Sequence, residues 1–187
     1  MSNRKDNLPV PFCFNFAVTT SGTPEQLTVK RRATTIAFNE NTASPDTITD
    51  SANGFLVAGF QPGDQLTVSG SGSNDGTYVV DSVTAGTITL KSNQDLTTEA
   101  AGATVVLTAP KTVPDGIGVT VKAKNANTGV IHMGYSSETA LNTAGASFTI
   151  DNNESIGLQV DNINRIWLDA SVSGESVEVL FERNLQL

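Results

Sequence analysis

Few residues of this 187-residue chain could carry out nucleophilic or acid–base chemistry. His132 is the only histidine, and it alternates with Ile131 and Met133 in an apolar run. We interpret it as a surface or packed strand histidine rather than a catalytic base, because no accompanying nucleophile is evident. The single Cys13 can form no internal disulfide, and we interpret it as a small strand residue rather than a reactive thiol. The sequence therefore predicts no catalytic residues, although paired carboxylates for glycoside cleavage stay open because Asp and Glu are frequent.

Cofactor and metal motifs are equally sparse. The chain contains neither a GxxxxGK[ST] phosphate-binding loop nor a dinucleotide-binding glycine fingerprint. Zinc is not expected, because its sites combine several His and Cys ligands. Residues 69–75 and 151–154 offer oxygen ligands for calcium, but neither segment has the spacing of a calcium-binding loop. We interpret both as turns and strand caps, and we predict no metal and no cofactor.

The composition favours a β protein with neutral polar surfaces. Charged residues make up only 16% of the chain, and Thr, Ser, Asn and Gly are abundant. The net charge of −8 repels phosphate, so we expect no nucleic-acid partner. The acidity is concentrated in residues 33–110, which hold eight acids and a single base, Lys91. We see no signal peptide and no apolar run near the ~20 residues that span a bilayer, so we expect synthesis in a reducing cytosol and no membrane partner.

The elements that must position these residues are short strands. Val119, Val121 and Ala123 alternate with polar residues, and similar alternation continues to the end of the chain. Side chains of a strand point to opposite faces with a period of two, so each run buries one face. Residues 34–109 add their own strand candidates, including TTIAF, GFLVAGF and DQLTVSG, each bounded by turn residues.

We therefore predict an all-β fold: a β-sandwich or jelly-roll-like domain with a small β-barrel or sandwich domain inserted. Residues 1–7 form a flexible polar arm. Residues 8–30 and 111–187 form one discontinuous domain, and residues 34–109 form the acidic insert, since insertions at exposed turns disturb little core. Residues 136–143 could form one helical turn, but we expect a loop.

Five residues are candidates for an interface. Trp167 alternates with Ile166 and Leu168 and suits a subunit contact, with a sugar-stacking platform as the alternative. The Arg31–Arg32 pair at the start of the insert could anchor to an acidic surface, with a solvated turn as the alternative. The remaining two candidates are Phe12 and Phe14, which lie on the first strand after the arm.

The last third of the chain carries a resemblance. GVTVKAKNANTGVIHMGYSS and ESIGLQVDNINRIWLDASVSGESVEVLF look like small β-structured virion proteins of tailed bacteriophages. VTTSGTPEQL resembles the start of the same domain, and AGFQPGDQLTVSGSGSNDGTYVVDSVTAGTITL is similar to a β module of phage structural proteins. The resemblance covers nearly the whole chain beyond the arm.

The resemblance implies a non-enzymatic capsid decoration (cement) protein, made in the bacterial cytoplasm and located on the virion surface. Its expected partners are the major capsid protein lattice and other copies of itself, as a homo-oligomer such as a trimer. A tail, collar or fibre component whose insert binds a host surface or glycan is the first alternative. An unrelated carbohydrate-binding module is the second. The family suggests no catalytic residues.

Overall fold

The computed structural model describes residues 9–43, 45–143 and 145–184. The protein is all-β, with 44% of residues in antiparallel strands and two short helices. Its chain divides into two compact units. The split unit contains the described residues up to Leu27 and from Thr112 onward, and the inserted unit is Thr28–Lys111.

The strands follow the chain with short connections. They are β1 (Pro9–Ala17), β2 (Glu25–Gln26), β3 (Val29–Ala33), β4 (Ile36–Asn39), β5 (Thr47–Asp50), β6 (Gln65–Ser69), β7 (Gly76–Val83), β8 (Thr87–Leu90), β9 (Val105–Ala109), β10 (Val119–Ala123), β11 (Ile131–Gly134), β12 (Phe148–Ile150), β13 (Ser155–Leu158), β14 (Trp167–Ala170) and β15 (Ser176–Asn184). The helices are α1 (Phe55–Ala58) and α2 (Ser137–Ala140), and a 3₁₀ turn spans Ile163–Arg165.

The split unit contains two four-stranded antiparallel sheets, in the orders β1-β15-β10-β13 and β12-β11-β14-β2, consistent with a β-sandwich. Strand β1 pairs with β15 over nine residues, from Pro9–Asn184 to Ala17–Ser176. The rings of Phe12 and Phe181 pack edge to face, with centroids 5.1 Å apart. Alternation along β1 therefore turns its aromatic residues into the core, as the period-two pattern requires.

The inserted unit is one open seven-stranded sheet, in the order β3-β9-β6-β7-β8-β5-β4. No closed barrel forms, so the barrel alternative for this domain is wrong. Strand β3 pairs with β9 from Val29–Ala109 to Ala33–Val105. This ladder, together with the buried ion pair of Lys111 with Asp64, places residues 28–30 and Lys111 in the inserted unit. The sequence predicted residues 8–30 and 111–187 in the other domain, because local sequence patterns do not show which strands or charged groups pair.

The segment GFLVAGF was expected as a strand and is instead helix α1. Phe55 and Ala58 are buried three residues apart, while Leu56 and Val57 are exposed, which is the pattern of a helical turn. Gly59 ends the helix in the left-handed region, with φ of +96°, and its N–H donates to the carbonyls of Phe55 and Leu56. A glycine adopts this backbone conformation without steric cost, so the short apolar run closes as a helix.

The expected loop at residues 136–143 contains helix α2. Ser136 is its N-cap, and its hydroxyl accepts a hydrogen bond from the Thr139 N–H. The Thr139 hydroxyl oxygen in turn accepts from the Ser136 N–H, which completes a reciprocal capping box. Ala140 is buried, so the expectation of a loop here is wrong and the one-turn alternative describes the segment.

Replacing residues 28–111 by a short Gly/Ser linker should leave a folded split unit. The reason is that the Phe-rich core on β1 and its β15 ladder use no residue of the replaced segment. Near-ultraviolet circular dichroism and the emission of Trp167, the single tryptophan, would report native packing. An unfolded product would contradict the independence of this core.

Candidate interaction surface

The structure places the candidate interface residues Phe12 and Phe14 in the core. Each is only 4% exposed, so neither side chain is available to a partner. Their assignment to an interface is wrong because both alternate toward the same face of β1 as Phe16, and that face is the buried one. They support the fold of the split unit rather than a contact surface.

The two arginines of β3 have different environments. Arg31 lies in an ion pair, with its Nη2 atom 2.8 Å from the Oδ2 atom of the buried Asp50. Arg32 is exposed and points to the opposite face of the strand. Of this predicted pair, Arg32 is therefore the side chain accessible to an acidic partner, while Arg31 stabilises the inserted unit.

Trp167 is half-buried at the start of β14. It lies opposite Gly134 on β11 and Gln26 on β2. A Cβ atom at Gly134 would come within 2.5 Å of the Ala140 backbone nitrogen, so the absence of a side chain there lets α2 lie against the sheet. Trp167 is only partly buried. Its assignment to an interface stays a prediction.

His132 is buried, although it lies on the face of β11 opposite to Ile131 and Met133. Its Nδ1 atom is 3.1 Å from the Ser147 hydroxyl, and Asp169 is its cross-strand neighbour on β14. The sequence analysis missed this Ser–His–Asp grouping because the three residues are distant in sequence. Asp169 accepts instead from the backbone N–H groups of Gly22 (2.9 Å), Asn142 (2.7 Å) and Ala170 (2.8 Å).

Hydrogen bonding distinguishes this grouping from a catalytic triad. A triad requires the carboxylate to orient the histidine, and among the described residues Asp169 makes no hydrogen bond to His132. Two of its three backbone bonds, from Gly22 and Asn142, instead fasten the 20–22 turn and the segment after α2 onto β14. We therefore interpret Asp169 as a structural carboxylate that holds one end of the split unit together.

In both candidate calcium segments, a carboxylate already accepts hydrogen bonds from within the segment. In the 69–75 segment, Asp75 accepts at 2.8 Å from both the N–H and the hydroxyl of Ser71, and these bonds lower the pKa of Asp75. In the 151–154 segment, Glu154 accepts from the Asp151 N–H at 3.1 Å. Across the described ranges, no group of three or more His, Cys, Asp or Glu side chains is arranged to hold a metal ion.

Asp50 is a buried electrostatic anchor of the inserted unit. Burial alone raises its pKa, but hydrogen bonds from Thr35 (2.6 Å), Arg31 (2.8 Å) and the backbone N–H groups of Ala52 (3.0 Å) and Gly54 (3.1 Å) outweigh burial. Together they lower the pKa to about 2. A carboxylate with this many donors stays ionised and fixes β3, β5 and the turn before α1.

Two aromatic residues are strongly exposed in the split unit. Tyr135 is 81% exposed and Phe148 is 53% exposed. Tyr135 follows β11 directly and Phe148 begins the neighbouring β12, where it pairs with Met133, so both lie at the same end of their sheet. Trp167 begins the next strand at this end, but it pairs with Gly134, so its side chain lies on the opposite face of the sheet from Phe148. We define Tyr135 and Phe148 as the aromatic end.

Charged residues are scarce in the chain segment that carries Tyr135 and Phe148. Residues 125–150 include a single carboxylate, Glu138, and no Lys or Arg, although the chain carries a net charge of −8. Cys13 is also exposed, on the outer face of β1 opposite Leu180.

The chain was compared with protein-family models, curated proteins and solved structures, and none gives a significant match. Within residues 9–43, 45–143 and 145–184, no helix has both the length and the apolar character that crossing a membrane requires.

Substituting Asp50 with Asn should lower the free energy of unfolding at neutral pH by about 2–4 kcal/mol, since buried donors lose an ionised acceptor. The folded pKa of about 2 lies below the value of ~3.9 for an unfolded Asp. The ionised carboxylate therefore stabilises the fold above that unfolded value, and this contribution is lost as the pH falls toward 2.

Urea titrations between pH 7 and 2 would separate this effect from that of other acids. The wild type should lose about 2 kcal/mol more than the Asp50→Asn variant over this range. Asp81→Asn is the matched control, because the Asp81–Lys91 pair is roughly half-exposed and should contribute at most about 1 kcal/mol. Parallel pH profiles for the wild type and Asp50→Asn would contradict the assignment.

Phe12→Ala should cost about 3–5 kcal/mol, because it leaves a cavity beside Phe181. Arg32→Ala should change stability by no more than about 0.5 kcal/mol, as expected for an exposed side chain. Arg31→Ala, one position away on β3, should be clearly more destabilising than Arg32→Ala. Chemical denaturation measures the free energy of unfolding of all three variants. A Phe12→Ala variant as stable as the wild type would contradict the assignment of Phe12 to the core.

Proposed function

We propose that this protein is a non-enzymatic structural component of a tailed-phage virion, a capsid decoration protein that binds and stabilises the major capsid protein lattice. The resemblance of its last third to phage virion proteins suggests the proposal. The exposed Tyr135 and Phe148 are the observation that carries it, because exposed aromatic side chains on a stable scaffold are typical of protein-binding surfaces.

The hydrogen-bonding pattern supports a scaffold role. Carboxylates that a catalytic site would keep accessible are here used as acceptors for backbone N–H groups. Glu99 accepts from Gly72 (2.8 Å) and Ser73 (3.1 Å), and Glu175 accepts from Thr128 (2.7 Å) and Gly129 (2.9 Å). Such bonds fix turns in place, so they give a rigid surface for contacts with neighbours.

A decoration protein stabilises a capsid through many weak contacts acting together. Each bound copy bridges neighbouring lattice subunits, so the avidity can exceed any single contact by orders of magnitude. Arg32 offers a positive charge to an acidic lattice, and the exposed acids of the inserted unit discourage particles from clumping. The proposed arm, residues 1–7, lies outside the described residues.

The second candidate is a tail, collar or fibre component whose inserted unit binds a host surface or glycan. A polar pocket of about 370 Å³ favours it, lined by Asn41, Thr42, Ala43, Pro45, Asp46, Ser92, Gln94 and Asp95. Amide, hydroxyl and carboxylate groups of this kind can hydrogen-bond sugar hydroxyls. Asp46 is already engaged, since it accepts from the N–H groups of Asn41 (2.7 Å) and Leu96 (2.6 Å). Its carboxylate therefore shapes the pocket and has little capacity left for a ligand.

Cosedimentation with phage capsids stripped of decoration proteins tests the proposal. The purified protein should bind saturably in hundreds of copies per particle, roughly in proportion to the lattice sites. Arg32→Ala should weaken binding, and the weakening should shrink as salt screens the charge. Binding of a handful of copies, or none, would favour the tail assignment, which binding to bacterial cells through the inserted unit would then support.

A further inference from the structure

We propose that Lys111 and Asp64 of the inserted unit become joined by an amide bond between their side chains, an internal isopeptide cross-link. The structure holds the two residues as a buried ion pair, which is the reactant state of this bond. The inference concerns a covalent modification of the chain itself. It therefore goes beyond the proposed function and does not depend on it.

The β6–β9 ladder brings the two residues together. These strands pair antiparallel, with Thr67 opposite Thr108. Asp64 directly precedes β6, and Lys111 follows the end of β9 by two residues, so the same register continued places them opposite each other. Opposite residues of an antiparallel pair have Cβ atoms about 4.5–5.5 Å apart, a distance that the two side chains easily close.

Hydrogen bonds to neighbouring backbone groups fix the position of Asp64. Its carbonyl oxygen accepts from the Val80 N–H at 3.0 Å, and the Gly63 N–H before it donates to the Val80 carbonyl at 2.9 Å. The Asp64 N–H donates to the Gln61 carbonyl at 3.2 Å. The carboxylate is therefore presented from a turn that is tied to β7, and it stays close to Lys111 without further ordering of the chain.

The Lys111 amine contacts the carboxylate symmetrically. Its Nζ atom lies 2.5 Å from both Oδ1 and Oδ2 of Asp64. Because both oxygens are bonded to Cγ, the nitrogen is also close to that carbon, and a small rotation of the flexible lysine side chain brings it above the carboxyl plane for attack. Reacting groups held in this way behave as if at concentrations of about 10⁵–10⁸ M.

Burial distinguishes this pair from the Lys91–Asp81 pair. Lys91 approaches Oδ1 of Asp81 at the same 2.5 Å, but those side chains are 50% and 46% exposed. Lys111 and Asp64 are only 5% and 7% exposed. Burying two charges carries a desolvation penalty, and conversion to a neutral amide removes both charges. Exclusion of bulk water also protects the product from hydrolysis.

Gln61 prepares the carboxyl group for attack. Its backbone N–H donates to Oδ2 of Asp64 at 2.8 Å. A donor aimed at this oxygen stabilises the negative charge that develops there when nitrogen adds to Cγ. Within the part of the chain that the structure describes, the buried Oε1 of Gln61 has no hydrogen-bond partner, so the same residue offers an acceptor for the water that the reaction releases.

The reaction balances without any co-reactant. The Nζ lone pair forms the new bond to Cγ, and the bond from Cγ to Oδ1 breaks. Two of the three ammonium protons leave with Oδ1 as water, and the third stays on the amide nitrogen. Oδ2 becomes the amide oxygen and keeps its hydrogen bond from Gln61. One positive and one negative charge disappear together, so the net charge of the chain is unchanged.

The cross-link would fasten the end of the inserted unit, because Lys111 is its last residue. It closes a covalent loop over residues 64–111 and thereby restricts the unfolded chain more than the folded one. The expected consequence is a more stable inserted unit, with a denatured chain that is more compact than a linear one.

Intact-mass spectrometry of the denatured full chain tests the inference. The wild type should be lighter than its sequence mass by one water molecule, whereas Lys111→Met should show its full sequence mass. Lys91→Met is the matched control, because it removes the lysine of the exposed pair, and it should still lose the water. The wild-type mass is informative by itself, whether or not Lys111→Met folds.

Tryptic digestion locates the bond. Trypsin does not cut after an acylated lysine, so residues 33–91 should stay joined to residues 92–122 in one branched product. A chain without the bond should give residues 33–91, 92–111 and 112–122 as separate peptides.

The opposite results would overturn the inference. A wild type with its full sequence mass and three separate peptides would do so, as would a water loss that persists in Lys111→Met. Water lost within a single peptide, as from ring closure at Asp75–Gly76, would assign the mass change to a succinimide instead. Capsid cosedimentation is an independent readout, so failure of the cross-link and failure of the proposed function are distinguishable.

Discussion

The pairing of β1 with β15 is the constraint on which the split unit depends. It joins residues 9–17 to residues 176–184, so the strand nearest the start of the described chain completes a sheet with the last one. Closing so long a loop costs conformational entropy that grows only slowly with its length, and burial of Phe12, Phe14 and Phe16 offsets it. A long segment can therefore lie between the two halves of this unit without changing its core.

Carboxylates have an unusual structural importance in both units. Asp50 collects donors from β3, from the bend between β3 and β4 and from the turn before α1, and Asp169 fastens two separate segments onto β14. Each carboxylate accepts hydrogen bonds from backbone N–H groups in turns, which have no partner in a strand or helix and would otherwise be unsatisfied. This use explains how a chain with many short strands and irregular turns keeps defined turn geometries, and why its acids form no metal-binding cluster within the described residues.

Charge is unevenly distributed along the chain. Residues 33–110 hold eight acids and one base, whereas residues 125–150, which include the exposed Tyr135 and Phe148, hold one carboxylate and no Lys or Arg. The capping box of α2 holds Tyr135 in place, and the Asp169 bonds hold the segment that follows α2. The fold thus presents a rigid aromatic surface on one unit and an acidic, polar surface on the other.

The sequence by itself determined the all-β class, the position of most strands and the presence of a separate central segment, because a period of two in apolar residues reflects burial of one strand face. It offered a helical turn within residues 136–143 only as the alternative to a loop, and the structure has helix α2 there. Tertiary structure alone decided the rest. Only the β3–β9 ladder showed that residues 28–30 belong to the inserted unit, and only the packing of β1 showed that Phe12 and Phe14 are core residues. The exposure of Tyr135 and the grouping of Asp169 with His132 depend on strand partners far apart in the chain, and local periodicity contains no information about which strands pair.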